Sequence, residues 1–336
     1  MKEFKTIDEQ IEILKNRGLI FIDEEIAKKN LLRYGYYEII NGYKDFLLKP
    51  KNNPKDEDQY IETAQFENLL AIYELDQRIK NAVLDASLDF ELTLKTALAY
   101  SIAKNYGHKE CDYLDKKNYK LGKLDNKNHL YELDKLFDKF DLILKSDKEP
   151  FSHYREDHGH IPPWILLKGC YLGNIKYFYT LQKSIIKTET ASILLGIPKN
   201  YIQAIPETKN FLADLINITY KFRNQAAHNG RIYNYQTPKN FSMRYHEIFH
   251  SSRYMNISKE EYINGYGNND LYTLLISLSQ LENFSPYIKL SIQLRLAIST
   301  HLQKYPQNRE FLLKSIGVPP ELMDEEIDYI FSVKNR

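Results

Sequence analysis

The chain has 336 residues, 43% of them hydrophobic, enough to bury a core in one large or two modest domains. Lys and Arg total 46 against 45 Asp and Glu, so the net charge is +1 and any nucleic-acid-binding surface has to be local. Cys111 and Cys170 are the only cysteines and lie outside any paired motif, which suits a reducing compartment and excludes a cysteine-rich zinc site. The start MKEFKTIDEQ lacks the apolar core of a signal peptide, and no apolar run approaches the ~20 residues of a membrane span. A soluble cytoplasmic protein with no membrane partner is expected. The 27 tyrosines, with many Lys, Asn and Ile, read as an AT-rich coding sequence rather than as a base-stacking platform.

In chain order, residues 7–17 predict a helix ended by Gly18, and Asp23 with Glu24-Glu25 caps a second one to about Tyr34. Residues 36–48 form a third apolar element before a polar loop, giving a helical N-terminal module over residues 1–60. Residues 63–107 carry the longest helical periodicity. Their length predicts two packed helices with a break near Ser87. Within them Asp76, Arg78, Glu91 and Lys95 read as a solvated face or intrahelical pairs, with Glu91 orienting Arg223 across the core as the functional alternative. Residues 108–128 are a polar connection in which Lys116, Lys117, Lys120 and Lys123 follow one another without an acid. Tyr113 and Tyr119 lie among them, so this is the best local candidate for an RNA-backbone contact, against a solvated loop as the bland alternative.

A helix is expected over 128–145, another opening at Pro162-Pro163 with Trp164, and one over 184–195. His153, Asp157, His158 and His160 suggest a metal cluster, but their spacing fits no standard site and no metal is expected. A core helix then leads into residues 210–234, and helices resume near 242–249, 270–282 and 285–303 before two short amphipathic helices. No strand pattern stands out. The expected fold class is all-α, with a central segment over 61–240 and a C-terminal helical extension over 241–336.

The decisive stretch is NFLADLINITYKFRNQAAHNGRIYN, Asn210–Asn234. Phe211, Leu212, Leu215, Ile216, Ile218 and Phe222 paint an apolar stripe, and Asn229-Gly230 supplies residues that end helices in the left-handed conformation. Arg223 therefore sits on the last turns and His228 at or just past the end. On an ideal helix the two point about 140° apart, so both address one ligand only where the helix unwinds. Arg offers a planar fork of donors for a phosphate, and His moves a proton near neutral pH. The spacing alone is weak: Arg155/His160 share it, and Arg244/His250 and Arg295/His301 differ by one position. Asn224, the small Ala226-Ala227 step and the cap set Arg223/His228 apart.

These residues carry a resemblance. The strings IPPWILLKGCYLGNIKYFY, RNQAAHNGRIYN and IYELDQRIKN with FELTLKTALAYSIAKNYG resemble abortive-infection proteins of the AbiD/AbiF type, as does LLRYGYYEIINGYKDFL. The similarity covers roughly residues 20–235. It implies a helical bundle of the HEPN superfamily, whose Arg-x4–6-His motif builds a ribonuclease site at a dimer interface, and a relation to type VI CRISPR effectors. By resemblance Arg223, Asn224 and His228 are the catalytic motif, while Arg231 and Asn234 match its trailing positions and would bind substrate. Lys95 stands where the family has Arg, and Tyr233 where it often has Trp. Gly230 occupies the position of the tyrosine through which other HEPN toxins are silenced by AMP transfer, so that control is not expected. AbiF-type relatives are RNA toxins restrained by a non-coding RNA, which implies RNA as substrate and as antitoxin partner.

The chemistry agrees, because RNA carries its own 2′-OH nucleophile and needs only a base, an acid and a phosphate clamp. One chain supplies one such pair, so a homodimer is expected, with no cofactor; Arg155/His160 as an intramolecular second site is the alternative. Three readings stay open. The first is a ribonuclease toxin of phage defence. The second is a non-catalytic RNA-binding module using the same basic, dimeric cleft. In the third, Arg223 and His228 are structural.

Overall fold

The computed structural model describes residues 3–331; Met1, Lys2 and residues 332–336, at the ends of the expected N- and C-terminal segments, lie outside the described residues. The fold is all-α. Helix Ile7–Asn16 starts at a capping box in which the Thr6 hydroxyl accepts from the Glu9 N–H and the Glu9 carboxylate accepts from the Thr6 N–H. Helix Glu24–Tyr34 starts at Asp23, whose carboxylate accepts from the Ile26 N–H at 3.0 Å. The apolar element that follows is a π turn, Tyr37–Asn41, and a short 3-10 turn, Asp45–Leu47.

The organising element is one helix of 41 residues, Phe66–Tyr106, about 60 Å long at 1.5 Å per residue. The expected break near Ser87 does not occur, and Ser87 is buried in an unbroken turn. Two physical reasons account for this. The stretch contains neither Gly nor Pro. It is also packed on several sides, so tertiary burial sustains a length that propensity alone would not. Helices Ser285–Lys304, Ser184–Leu195 and Glu207–Ala227 and the turn Pro163–Leu166 all lie against it, burying Leu69, Ile79, Val83, Phe90, Leu94, Leu98 and Ile102 completely. Lys95 and Glu91 form the expected intrahelical pair at 2.7 Å. Asp76, in contrast, is fully buried rather than solvated.

The polar connection is more structured than its sequence suggests. It holds helix Glu110–Tyr113, a 3-10 turn at Lys116–Asn118, and an antiparallel pair of two-residue strands, Leu124–Asp125 with Leu130–Tyr131. This hairpin comes from turn chemistry, not alternation: Asp125 accepts from the Lys127 N–H through its side chain and from the His129 N–H through its carbonyl. The region continues through helix Glu132–Leu144, the one-turn helix bearing Trp164, and helix Leu172–Leu181.

The expected helix over 242–249 shrinks to Glu247–His250. Its first half is held extended by other bonds: the Met243 N–H donates to the Asn268 carbonyl, and Arg244 forks onto Asp214 at 2.8 and 3.0 Å. His246 meets the same carboxylate at 2.8 Å. Burial opposes ionisation of Asp214, but the hydrogen bonds from His246 and Arg244 outweigh it and leave the carboxyl below its ordinary value. These contacts tie the C-terminal segment to helix Glu207–Ala227. Buried apolar side chains from the N-terminal, central and C-terminal segments form one continuous cluster.

Helix Leu271–Leu278 is capped by buried Asp270, which accepts from the Thr273 N–H and hydroxyl. Gly317, at φ +94°, lies so close that a Cβ there would sit 2.0 Å from the Asp270 carboxylate. Burial pushes the Asp270 carboxyl up to about 7. A carboxyl raised on folding holds its proton more tightly in the folded state, so stability falls as the pH rises from 3.8 towards 7. Asp270→Asn, which keeps the cap, is expected to flatten that part of the stability profile, measured by urea denaturation across this range. Ser87→Pro is expected to cost about 3 kcal/mol or more; a two-helix arrangement broken at this point would tolerate it with an unchanged denaturation midpoint.

Candidate functional site

Helix Glu207–Ala227 buries Phe211, Leu212, Leu215, Ile216, Ile218 and Phe222 and ends at His228. The end is a Schellman motif: the Gly230 N–H donates to the Gln225 carbonyl at 2.8 Å and the Asn229 N–H to the Ala226 carbonyl at 3.2 Å. Asn229, at φ 58°, rather than Gly230, takes the left-handed conformation. The His228 N–H still donates to Asn224, so the backbone stays helical up to the histidine and leaves the helix just after it; the expected unwinding before His228 does not occur, and within one chain Arg223 and His228 keep the roughly 140° separation of a regular helix.

This corner is fixed from beneath by two buried charges on the long helix. Lys80 donates to the side-chain oxygen and the carbonyl of Asn229 at 3.1 and 3.3 Å. Asp76, one turn earlier and 3.7 Å from the Lys80 ammonium, accepts from the N–H groups of Ile232 and Tyr233 and from the Tyr43 hydroxyl at 2.6 Å. Burial pushes the Asp76 carboxyl up and the Lys80 ammonium down; the Tyr43 hydroxyl, each other's charge and the backbone donors act against that. The sequence reading missed this group. Its signal was Asp and Lys at i and i+4 on the long helix, a spacing equally common on a solvated face.

At the site itself His228 is exposed and Arg223 half-buried. Arg223 Nη1 donates to the Asn224 side-chain oxygen at 3.3 Å, while its Nε is buried without a hydrogen-bond partner. Glu91 does not serve it: Glu91 pairs with Lys95, its second oxygen is buried and unpartnered, and no ion pair within 4.0 Å joins it to Arg223. Arg231 donates to the Gly42 carbonyl at 2.5 Å, which binds the trailing part of the motif to the N-terminal segment, and Asn234 is exposed in the following turn. Lys116 is paired with Asp134 at 2.5 Å, whereas Lys117 and Lys120 are exposed on the polar connection.

The other Arg/His pairs are occupied by structure. Arg155 donates to the carbonyls of Leu144 and Ser146 at 2.9 and 3.0 Å, closing the end of helix Glu132–Leu144, so it does not assemble a second site with His160. Arg244 is held by Asp214, and His250 is buried against the Gly267 carbonyl. His301 is buried beside Asn308, and its imidazole is pushed down to about 4 by burial. His153 pairs with Asp157 at 2.6 Å and His160 meets His108 edge-on; among the described residues no three His, Cys, Asp or Glu side chains could hold a metal ion. Both cysteines are free. Among the described residues no helix is long and apolar enough to cross a membrane.

Asp76→Ala leaves two buried N–H donors unpaired and the buried Lys80 ammonium without its counter-charge, and is expected to cost about 3–5 kcal/mol. Asp76→Asn, which keeps one acceptor, is expected to cost less; urea denaturation of both variants checks the order.

No curated protein and no solved structure matches the chain. A family model described as Abi-like protein matches residues 29–234, more than half of the sequence. The match runs from the helix before Tyr43, through Asp76 and Lys80, to the last residue of the Arg223–Asn234 motif, and the chain belongs to this abortive-infection family.

Proposed function

We propose that the protein is a metal-independent endoribonuclease of the HEPN type, acting as an RNA-cleaving toxin in phage defence. The observation that carries the reading is the contrast between Arg223/His228 and every other Arg/His pair. Of the four Arg/His spacings, only this one combines an exposed imidazole with an arginine that no carboxylate has claimed, its one hydrogen bond going to the Asn224 side-chain oxygen and its Nε left unpartnered. Asn224 steadies the guanidinium, which is free to receive a phosphate.

A base and an acid are both needed, and one chain offers one such histidine, so the working unit is a twofold dimer presenting two. One His228 takes the proton of the ribose 2′-OH as its oxygen attacks phosphorus. The P–O5′ bond breaks, and the second His228 gives its proton to the departing oxygen. The products are a 2′,3′-cyclic phosphate and a 5′-OH. The Arg223 side chains stabilise charge on the non-bridging oxygens in the transition state. A bound non-coding RNA covering the same cleft would hold the toxin at rest.

Cleavage of RNA in EDTA, with end-group analysis of the products, tests this reading. His228→Ala is expected to lower the rate about 10²–10⁴-fold while RNA affinity changes little. Arg223→Ala is expected to lower activity with an unchanged denaturation midpoint; a lowered midpoint at full activity would make the arginine structural. RNA binding without cleavage, after bound nucleic acid is stripped, would favour the non-catalytic RNA-binding module instead.

A further inference from the structure

A second basic surface lies at the opposite end of the motif helix. Lys209 is on its first turn, 14 residues before Arg223, or about 21 Å along the axis. Lys209 Nζ donates to the Ser184 hydroxyl at 3.0 Å, which brings it to the start of helix Ser184–Leu195. Lys183 immediately precedes that helix and donates to the Lys117 carbonyl, and Lys187 lies one turn in, its ammonium on the Thr180 carbonyl at 2.7 Å. Lys120 completes the group, its N–H held by the Leu181 carbonyl at 2.8 Å.

Three separate stretches of chain thus bring four lysines together: Lys187 feels the charges of Lys120 and Lys209, and Lys183 stands four residues before it at the start of the same helix. Among the described residues none of the four is within 4.0 Å of a carboxylate. Elsewhere Lys104, Lys116, Lys135 and Lys199 each have such a partner. The crowding is felt at Lys187, pushed down to about 8 by burial and by the charges of Lys120 and Lys209. Four like charges held together without counter-charges attract an anion of several charges.

We propose that Lys120, Lys183, Lys187 and Lys209 form a nucleic-acid-backbone contact surface, separate from the Arg223/His228 end, that grips an RNA strand by its phosphates. The choice of RNA over an acidic protein follows from the chemistry of the patch. Protein interfaces favour Arg and aromatic anchors and disfavour Lys, whereas flexible lysine point charges suit a phosphate chain without reading its bases. This inference rests on the RNA-directed function above, of which it names a second contact. It also shifts the basic surface expected in the polar connection: Lys120 belongs to it, Lys117 contributes its carbonyl, and Lys116 is turned to Asp134.

The test is fluorescence anisotropy with a 2′-O-methyl oligoribonucleotide of about 20 nucleotides, titrated between about 50 and 200 mM salt. Lys183→Gln/Lys209→Gln is expected to lower the slope of log affinity against log salt by about 1.4, at about 0.7 per lost phosphate contact on a single strand. Lys183→Arg/Lys209→Arg is expected to restore it. If the Gln pair fails to fold, Lys120→Gln/Lys183→Gln, both exposed, carries the same test. An unchanged slope overturns the proposal, as does binding of polyglutamate or of phosphatidylserine vesicles in place of the oligonucleotide. The probe has no free 2′-OH, so binding is read apart from cleavage. A lysine-dependent slope with no cleavage of ordinary RNA sustains the surface and sinks the ribonuclease reading. His228-dependent cleavage with an unchanged slope does the reverse.

Discussion

The carboxylate of Asp76 joins three parts of the chain that are far apart in sequence. It stands on the long helix, takes the Tyr43 hydroxyl from the N-terminal segment, and takes the N–H groups of Ile232 and Tyr233 just after the motif. An acceptor buried this deeply is costly unless its lone pairs are filled, and those two amides would be as costly without it. The mutual need fixes the path of residues 229–233, with Lys80 holding Asn229 from the next turn. The exposed His228 therefore sits on a rigid corner rather than on a loose loop.

That rigidity bears on chemistry. In the proposed ribonuclease, proton transfer in line with a breaking P–O bond would need the imidazole placed to within a fraction of an ångström, which a helix end locked by a Schellman motif and two buried charges can provide. Arg231 extends the same lock to Gly42. The trailing residues of the motif thus serve partly as masonry, carrying the N-terminal segment against the helix end. The match of the family model over 29–234 fits this dependence, since it takes in Tyr43, Asp76 and the motif together.

Charge is divided along the motif helix. One end presents Arg223 and His228; the other gathers lysines from three segments; between them Asp214 is consumed in holding Arg244 and His246 of the C-terminal segment.

What the sequence determined by itself was local. Helical periodicity, capping residues and the absence of alternation decided the all-α class, and the change from an apolar stripe to RNQAAHNG placed Arg223 before the helix end and His228 at it. These properties follow from contacts within a turn or two of chain, so they are written in consecutive residues. Tertiary structure decided the rest. The long helix runs through Ser87 because helices from distant parts of the chain pack around it, which no local stretch of sequence can report. Asp76 and Lys80 look like a solvated pair until the residues that bury them arrive from positions 43 and 229–233. Sequence context already favoured Arg223/His228 over the other three Arg/His spacings, but that the others are occupied by structure is shown only by the partners of Arg155, Arg244, His250 and His301, all supplied by the folded chain. Lys120, Lys183, Lys187 and Lys209 likewise span 90 residues of sequence and meet only because helix packing brings three distant segments to one surface.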